Sequence, residues 1–184
     1  MNDHYYSRRP AAASDKQVIE AVLRGKPYRF VTEAGVFSRK EVDFGSRLLI
    51  ETMEIPTGAR VLDVGCGYGP IGLVAAGLAA AGLVTMIDVN ERAVETAAEN
   101  ARRLGIRNVR ILQSDLYEAL EDGETFDVIL TNPPIRAGKP TVYGIFAGAF
   151  ERLKPGGSLW VVIQKKQAAP SARAKLEQLF GLVR

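Results

Sequence analysis

The sequence predicts an α/β fold built on a doubly wound, mostly parallel sheet. From Arg60 onward, short apolar runs alternate with longer helical patterns, joined by brief turns. Repeated β-α units of this kind give a parallel sheet covered on both faces. The first apolar run, Val61-Leu62-Asp63-Val64, passes directly into Gly65-Cys66-Gly67-Tyr68-Gly69, and an Ala-rich run opens at Pro70. Strand, glycine turn and helix start form the phosphate-or-cofactor arrangement of an open sheet, whose ligands sit beyond the carboxyl ends of the strands. The distinctive polar residues Asp88, Asp115 and Asn132 all fall at such ends.

Residues 1–13 read as a loose polar arm. Ser14 to Arg24 is predicted as a helix: Ser14 and Gln17 have capping-box spacing, Val18, Ile19, Val22 and Leu23 form one face, and Gly25 stops it. Tyr28–Thr32 and Val36-Phe37 read as a short strand pair around Glu33-Ala34-Gly35. Asp43 then caps a helix running to about Met53, with Phe44, Leu48, Leu49 and Met53 at helical spacing. This divides the chain into an arm and helix, 1–27, and a main domain, 28–184. In the main domain the strands are Val61–Val64, Leu83–Ile87, Val109–Leu112, Phe126–Leu130 and Ser158–Ile163. The helices run from Pro70 to about Ala81, from an Asn90 cap through Leu104, from about Thr141 to Leu153, and from Ser171 to Phe180.

With 184 residues, 47% hydrophobic and 24% charged, the chain has the composition of one soluble domain with a full core. Its longest apolar run, Leu73 to Val84, is too short to span a bilayer, so no membrane role is expected. The N-terminus lacks the apolar core of a signal peptide. The lone Cys66 cannot form an internal disulfide, and with His4 the only histidine it is no catalytic thiol. A cytoplasmic location fits. The net charge of +3 hides an asymmetry: +3 in residues 1–50, −7 in 51–134 and +7 in 135–184. A basic tail behind an acidic core suggests a polyanionic partner.

Asp63 is costly inside a buried strand unless it finds a partner. Gly67-x-Gly69-x-x-Gly72 also matches the dinucleotide fingerprint. There, however, the first glycine follows the strand directly, whereas Gly67 stands three residues past Val64. Asp88, 23 residues after Gly65, can accept hydrogen bonds from ribose hydroxyls, which nicotinamide and S-adenosylmethionine (SAM) cofactors share. Asn132-Pro133-Pro134-Ile135 follows a buried strand. The prolines stiffen the loop and remove two backbone donors, leaving carbonyls and the Asn side-chain oxygen as acceptors. Rigid acceptors suit a planar NH2 group: holding its N–H bonds steers the nitrogen lone pair toward an electrophile. Such chemistry requires neither metal nor covalent intermediate.

Asp-x-Gly-x-Gly-x-Gly together with Asn-Pro-Pro resembles the signature of class I SAM-dependent amino-methyltransferases. Gly35-Val36-Phe37-Ser38, Val42-Asp43-Phe44-Gly45-Ser46-Arg47-Leu48-Leu49 and Asn132-Pro133-Pro134-Ile135-Arg136-Ala137-Gly138-Lys139 narrow it. They look like small-subunit ribosomal RNA guanine-N2 methyltransferases, in their single-domain bacterial branch. The resemblance covers roughly Tyr28 to Lys166. It implies a Rossmann-like class I methyltransferase fold and SAM as cofactor. It implies SAM contacts at Asp63, Gly65, Gly67, Asp88, Asp115 and Asn132, with Phe37 and Gly45 nearby; Cys66, Gly69, Asn90 and Leu116 join them as candidates. It further implies that Asn132, Pro133, Pro134 and Ile135 hold the target amine. Arg136, Lys139, Lys165 and Lys166 are the candidate RNA contacts.

The chain departs from the pattern in three respects. Ile135 stands where many amino-methyltransferases place an aromatic that stacks on a flipped base. Better-known members of the ribosomal family carry two tandem halves, and this chain has room for one. The fold normally continues after the last helix into an antiparallel hairpin, and this chain stops at Arg184. The expected function is methylation of an RNA exocyclic amine, most simply guanine N2 of small-subunit ribosomal RNA. Asn-Pro-Pro serves adenine N6 and glutamine equally well. A non-catalytic SAM- or RNA-binding module is a further alternative, which the intact Asp63, Asp88 and Asn132 oppose. The expected partner is ribosomal RNA or the small subunit, with the protein a monomer or homodimer.

Overall fold

The computed structural model describes residues 6–164, 166 and 168–184. The chain opens with an antiparallel hairpin, β1 (Lys16–Leu23) and β2 (Lys26–Glu33), followed by α1 (Phe44–Thr52). Then come β3 (Arg60–Val64), α2 (Pro70–Leu78), β4 (Leu83–Asp88), α3 (Glu91–Arg103), β5 (Val109–Gln113), β6 (Phe126–Thr131), α4 (Lys139–Arg152), β7 (Leu153–Val161) and α5 (Ala169–Phe180). The last five strands form one parallel sheet in the order β5-β4-β3-β6-β7. The predicted doubly wound sheet is borne out.

Side-chain alternation along the strands builds two cores. Val61, Val84, Met86, Val128 and Leu130 face the hairpin, α1, α2 and α3. Leu62, Val64, Ile87 and Ile129 face α4 and α5. Burial on both faces explains why the central strands read as near-continuous apolar runs. Pro155-Gly156-Gly157 lies inside β7 as an irregularity, where the register jumps from Phe126↔Leu153 to Val128↔Ser158.

The N-terminal region departs from the sequence reading. Residues 16–23 form a strand and not a helix. Ile19, Ala21 and Leu23 are buried and alternate with exposed Val18, Glu20 and Val22, a period of two that the adjacent apolar pairs had disguised as helical spacing. Arg24 and Gly25 both have positive φ, +49° and +76°, as a two-residue type I′ turn requires. The strand pair is therefore β1–β2, and Val36-Phe37 lie in a bend. The junction between residues 27 and 28 falls inside this hairpin. The described part of the arm is tied down: the Arg8 carbonyl accepts from Glu91 N–H, and the Ala12 carbonyl accepts from Arg92.

Asp43 caps α1 as expected, its carboxylate accepting from the Ser46 N–H. The buried face of that helix, however, is Ser46, Leu49 and Ile50, while Phe44 is 78% exposed and Leu48 45%. Among the described residues no helix is long and apolar enough to cross a membrane.

Fully buried Asn100 on α3 bolts three segments together. Its Oδ1 accepts from the Val31 N–H at 2.7 Å, and its Nδ2 donates to the carbonyls of Val31 and Tyr68, both at 2.9 Å. A buried backbone group left without a partner costs about 1–3 kcal/mol. Asn100→Ala should therefore destabilise the protein by about 3 kcal/mol or more, read as a lowered urea midpoint; an unchanged midpoint would contradict the bolt.

Candidate active site

The winding reverses between β3, the central strand, and its neighbour β6. They run side by side with Val64 opposite Thr131, and the Thr131 hydroxyl donates to the Val64 carbonyl at 2.9 Å. The loops leaving the two strands therefore emerge as neighbours. Ligands of open α/β sheets sit at this kind of switch point. The glycine loop and Asn132-Pro133-Pro134 meet there, although 67 residues separate Gly65 from Asn132.

Gly65 and Gly67 have φ of +76° and +57°, and a Cβ at either would meet no atom within 4 Å. The loop thus presents bare backbone to open space, in a conformation that other residues rarely adopt. Asp88, at the end of β4, organises it: Oδ2 accepts from the Gly67 N–H at 2.8 Å and Oδ1 from the Asn90 N–H at 2.9 Å. Burial pushes the Asp88 pKa up to about 6, opposed by the backbone amides of Asn90, Gly67 and Val89.

A cavity of about 360 Å³ opens here. Of the candidate cofactor residues, Phe37, Gly65, Cys66, Gly67, Asp88, Asp115, Leu116 and Asn132 line it, as does Pro134. Burial also pushes the Cys66 thiol well up, with Asp88 and Asp63 adding to the shift, so it stays a neutral thiol in the wall. Others lie elsewhere. Asp63 is completely buried beneath the loop, with neither carboxylate oxygen hydrogen-bonded among the described residues. Gly69 is the N-cap residue of α2, and Asn90 caps α3, accepting from the Arg92 and Ala93 N–H groups. Gly45 and Ile135 border a second, wider cleft.

That cleft, about 720 Å³, shares Phe37, Asp43 and Asn132 with the cavity. Its walls include Phe44, Leu48, Pro133, Ile135, Val162 and Ile163. Phe44 and Leu48, one turn apart on α1, are the two apolar residues that the helix withholds from the core. Asn132 stands between the two spaces. Its Nδ2 donates to Asp43 Oδ2 at 3.0 Å and to Ser46 Oγ at 3.1 Å.

The sequence reading missed several lining residues. Tyr6 and Arg8 reach the cavity from the arm, and Arg8 pairs with Asp115 at 3.0 Å. Asp43, Ser46, Tyr68, Thr141 and Ile145 also line it. For Asp43 the available signal is its place in the Val42–Leu49 stretch that carries the resemblance; by itself Asp43 reads only as a cap. Of the candidate RNA contacts, Arg136 lines the wider cleft, Lys139 is exposed at the start of α4, and Lys166 is exposed. Lys165 lies outside the described residues. Lys154 pairs with Asp127 at 3.5 Å, at the opposite end of the sheet.

The methyltransferase small domain family matches residues 27–184. The chain belongs to that family. The YbxB protein of Bacillus subtilis is 56% identical over the whole of this chain and 92% of its own length. Ribosomal RNA small subunit methyltransferase C of Vibrio cholerae is 33% identical over 92% of this chain and 47% of its own. The T. thermophilus 16S rRNA N2 G1207 methyltransferase, solved in complex with AdoMet and guanosine, superposes with a TM-score of 0.81 at 29% identity. That superposition covers 94% of this chain and 47% of the other. The chain therefore spans about half the length of these two ribosomal RNA relatives. The class I methyltransferase fold is as the resemblance implied.

In this methyltransferase domain the carboxylates beneath the loop have a thermodynamic consequence. Burial, helped by Asp88, pushes the Asp63 pKa up to about 7. An unfolded aspartate releases its proton near pH 4. Between those values the folded state binds more protons than the unfolded state, so stability falls as pH rises through the window. Asp63 alone should contribute a slope of up to about 1.4 kcal/mol per pH unit. Asp63→Asn should flatten that dependence between pH 5 and 7 and raise the melting temperature at pH 8. A parent protein whose melting temperature rises steadily from pH 5 to 8 would exclude this account.

Proposed function

We propose that this protein transfers a methyl group from SAM to an exocyclic amine of RNA, with guanine N2 of small-subunit ribosomal RNA as the acceptor. The observation that carries the reading is Asn132, standing between the glycine-loop cavity and the apolar cleft. One space suits the cofactor and the other the acceptor. The bare Gly65–Gly67 backbone, the Asp88 carboxylate and the apolar walls of Ile87, Leu116 and Ile145 fit SAM. In this reading Asp88 holds the ribose hydroxyls and Asp115 the adenine amino group, while Asp63 acts from beneath the loop. Bound there, SAM supplies an electrophilic methyl on a sulfonium.

Asn132 Oδ1 and the Pro133 carbonyl accept the N–H bonds of the amine and aim its lone pair toward the cavity. Among the described residues no group donates to Asn132 Oδ1; both hydrogen bonds of the side chain are made by Nδ2. The apolar cleft, wide enough for a purine, supports a base over a glutamine side chain. The guanosine in the T. thermophilus relative supports guanine over adenine. Arg136 and Lys139, both exposed beside the loop, are placed to meet phosphates while the base enters.

Tritiated-methyl transfer from SAM to small-subunit ribosomal RNA, from cells lacking this protein, followed by nucleoside mapping, tests the reading. Labelled N2-methylguanosine is the expected product, and label on adenine N6 would replace guanine by the alternative acceptor. Asn132→Ala should lower turnover about 100-fold or more, as loss of one charge-orienting contact does; near-normal turnover would rule out its role.

Salt dependence tests the partner. RNA affinity should fall steeply with salt, and replacing Arg136 and Lys139 with alanine should flatten the slope by about 1.4, at about 0.7 per phosphate contact. SAM affinity should stay unchanged. A parent slope near zero would remove the phosphate contacts.

A further inference from the structure

We infer that Asp43 and Ser46 form a polar clamp that fixes the Asn132 amide with its oxygen facing the acceptor. This rests on the reading of Asn132 as the group that receives the amine. An asparagine amide has two chemically opposite ends, and a flip would turn a pair of donors toward the substrate amine. The amine needs acceptors, so the flipped form is useless for the reaction.

The structure contains the device that excludes it. Asp43 is the N-cap of α1, where the helix dipole favours a negative charge. An ionised carboxylate can only accept. Oδ2 already accepts from the Ser46 N–H at 3.0 Å, which holds it in place. It also accepts from Asn132 Nδ2 at 3.0 Å, and Ser46 Oγ accepts from the same nitrogen at 3.1 Å. Flipping Asn132 would set two oxygens against each other at hydrogen-bond distance. Nδ2 therefore faces α1, and Oδ1 is left for the acceptor.

The surroundings are tight. A Cβ at Gly45 would stand 3.3 Å from Asp43 Oδ2 and 3.4 Å from Asn132 Nδ2. The clamp also strengthens Oδ1. Hydrogen bonds from the amide NH2 to a carboxylate polarise the amide and make its oxygen a better acceptor. Positive charge develops on the amine nitrogen as the new N–C bond forms, so that gain is larger in the transition state than in the bound substrate. Asp43 and Ser46 are thus positioning residues, acting through Asn132 and not on the methyl group.

Asp43→Ser separates this role from capping. Serine caps a helix as well as aspartate but carries one neutral hydroxyl on a shorter stem in place of the carboxylate that Asn132 meets. Asp43→Asn keeps both the cap and an acceptor. A substrate-free measurement comes first: the side-chain NH2 resonances of Asn132 in the 15N-labelled protein, assigned by their loss in Asn132→Ala. Asp43→Ser combined with Ser46→Ala should shift them and speed their exchange with water, with the backbone spectrum otherwise retained. Unmoved resonances would overturn the clamp.

Kinetics on small-subunit ribosomal RNA then test its consequence. Asp43→Ser should lower kcat on the order of tenfold, as loss of a charge-assisted hydrogen bond does, with KM for RNA within about twofold and Asp43→Asn retaining most activity. In an Asn132→Ala background the same change should have almost no further effect, because residues acting as a unit are not additive. An equal loss in both backgrounds would reduce Asp43 to a structural cap and overturn the inference. Full activity of Asn132→Ala would instead sink the functional reading, with the resonance measurement still deciding the clamp.

Discussion

The parallel pairing of β3 with β6 is the constraint on which the site depends. Val64 lies opposite Thr131, and one hydroxyl-to-carbonyl bond stitches the strands where they end. Register is unforgiving in a sheet buried on both sides, because a slip of one residue exchanges every side chain between the two cores. The same register that sorts Val61 from Leu62 also decides that the glycine loop and the Asn-Pro-Pro loop leave the sheet side by side. The glycine loop and the Asn-Pro-Pro loop are thus brought together by the hydrophobic sorting of the sheet.

The parallel half of the fold was legible because its signals are local. The strands there are compact, largely apolar runs, the ends of β4, β5 and β6 carry Asp88, Asp115 and Asn132, and Asn90 and Asp43 announce helix starts by capping chemistry. The hairpin was not legible for a physical reason. Val18-Ile19 and Val22-Leu23 satisfy both a helical and an alternating pattern, and the turn that decides between them consists of Arg24 in a conformation more usual for Gly or Asn. The same ambiguity misassigned the face of α1. Phe44 and Leu48 belong to a helical stripe by spacing, yet they border the cleft because Leu49 and Ile50 take the core.

The site residues divide in the same way. Those tied to strand ends were found; Arg8, Tyr6 and Ser46 were not, because they reach the site through long-range contacts with no sequence periodicity. Asp43 was found for its weaker role. A residue that caps a helix and also receives a side chain 89 positions away leaves only the first function visible in a linear reading.

The site is acidic. Asp43, Asp63, Asp88 and Asp115 gather on or beneath the cavity, and Arg8 is the cation paired there. Such a field favours a cationic sulfonium and opposes phosphate. The exposed Arg136 lines the wider cleft and not the cavity, and Lys139 is exposed at the start of α4.

The Asn100 bolt has a consequence for how this domain can be subdivided. The hairpin is tied to the glycine loop by that amide and by the edge-on contact of Phe30 with Tyr68, so it behaves as part of the same module rather than as an appendage. A fragment begun at Pro27, where the family match starts, would retain Val31 and Tyr68 but lose β1. The amide would then be gripping a lone extended segment whose entire outer row of backbone donors and acceptors had been unzipped. Such an edge invites pairing with a second chain, so trimming the domain to its homologous core would trade a closed ribbon for an adhesive one.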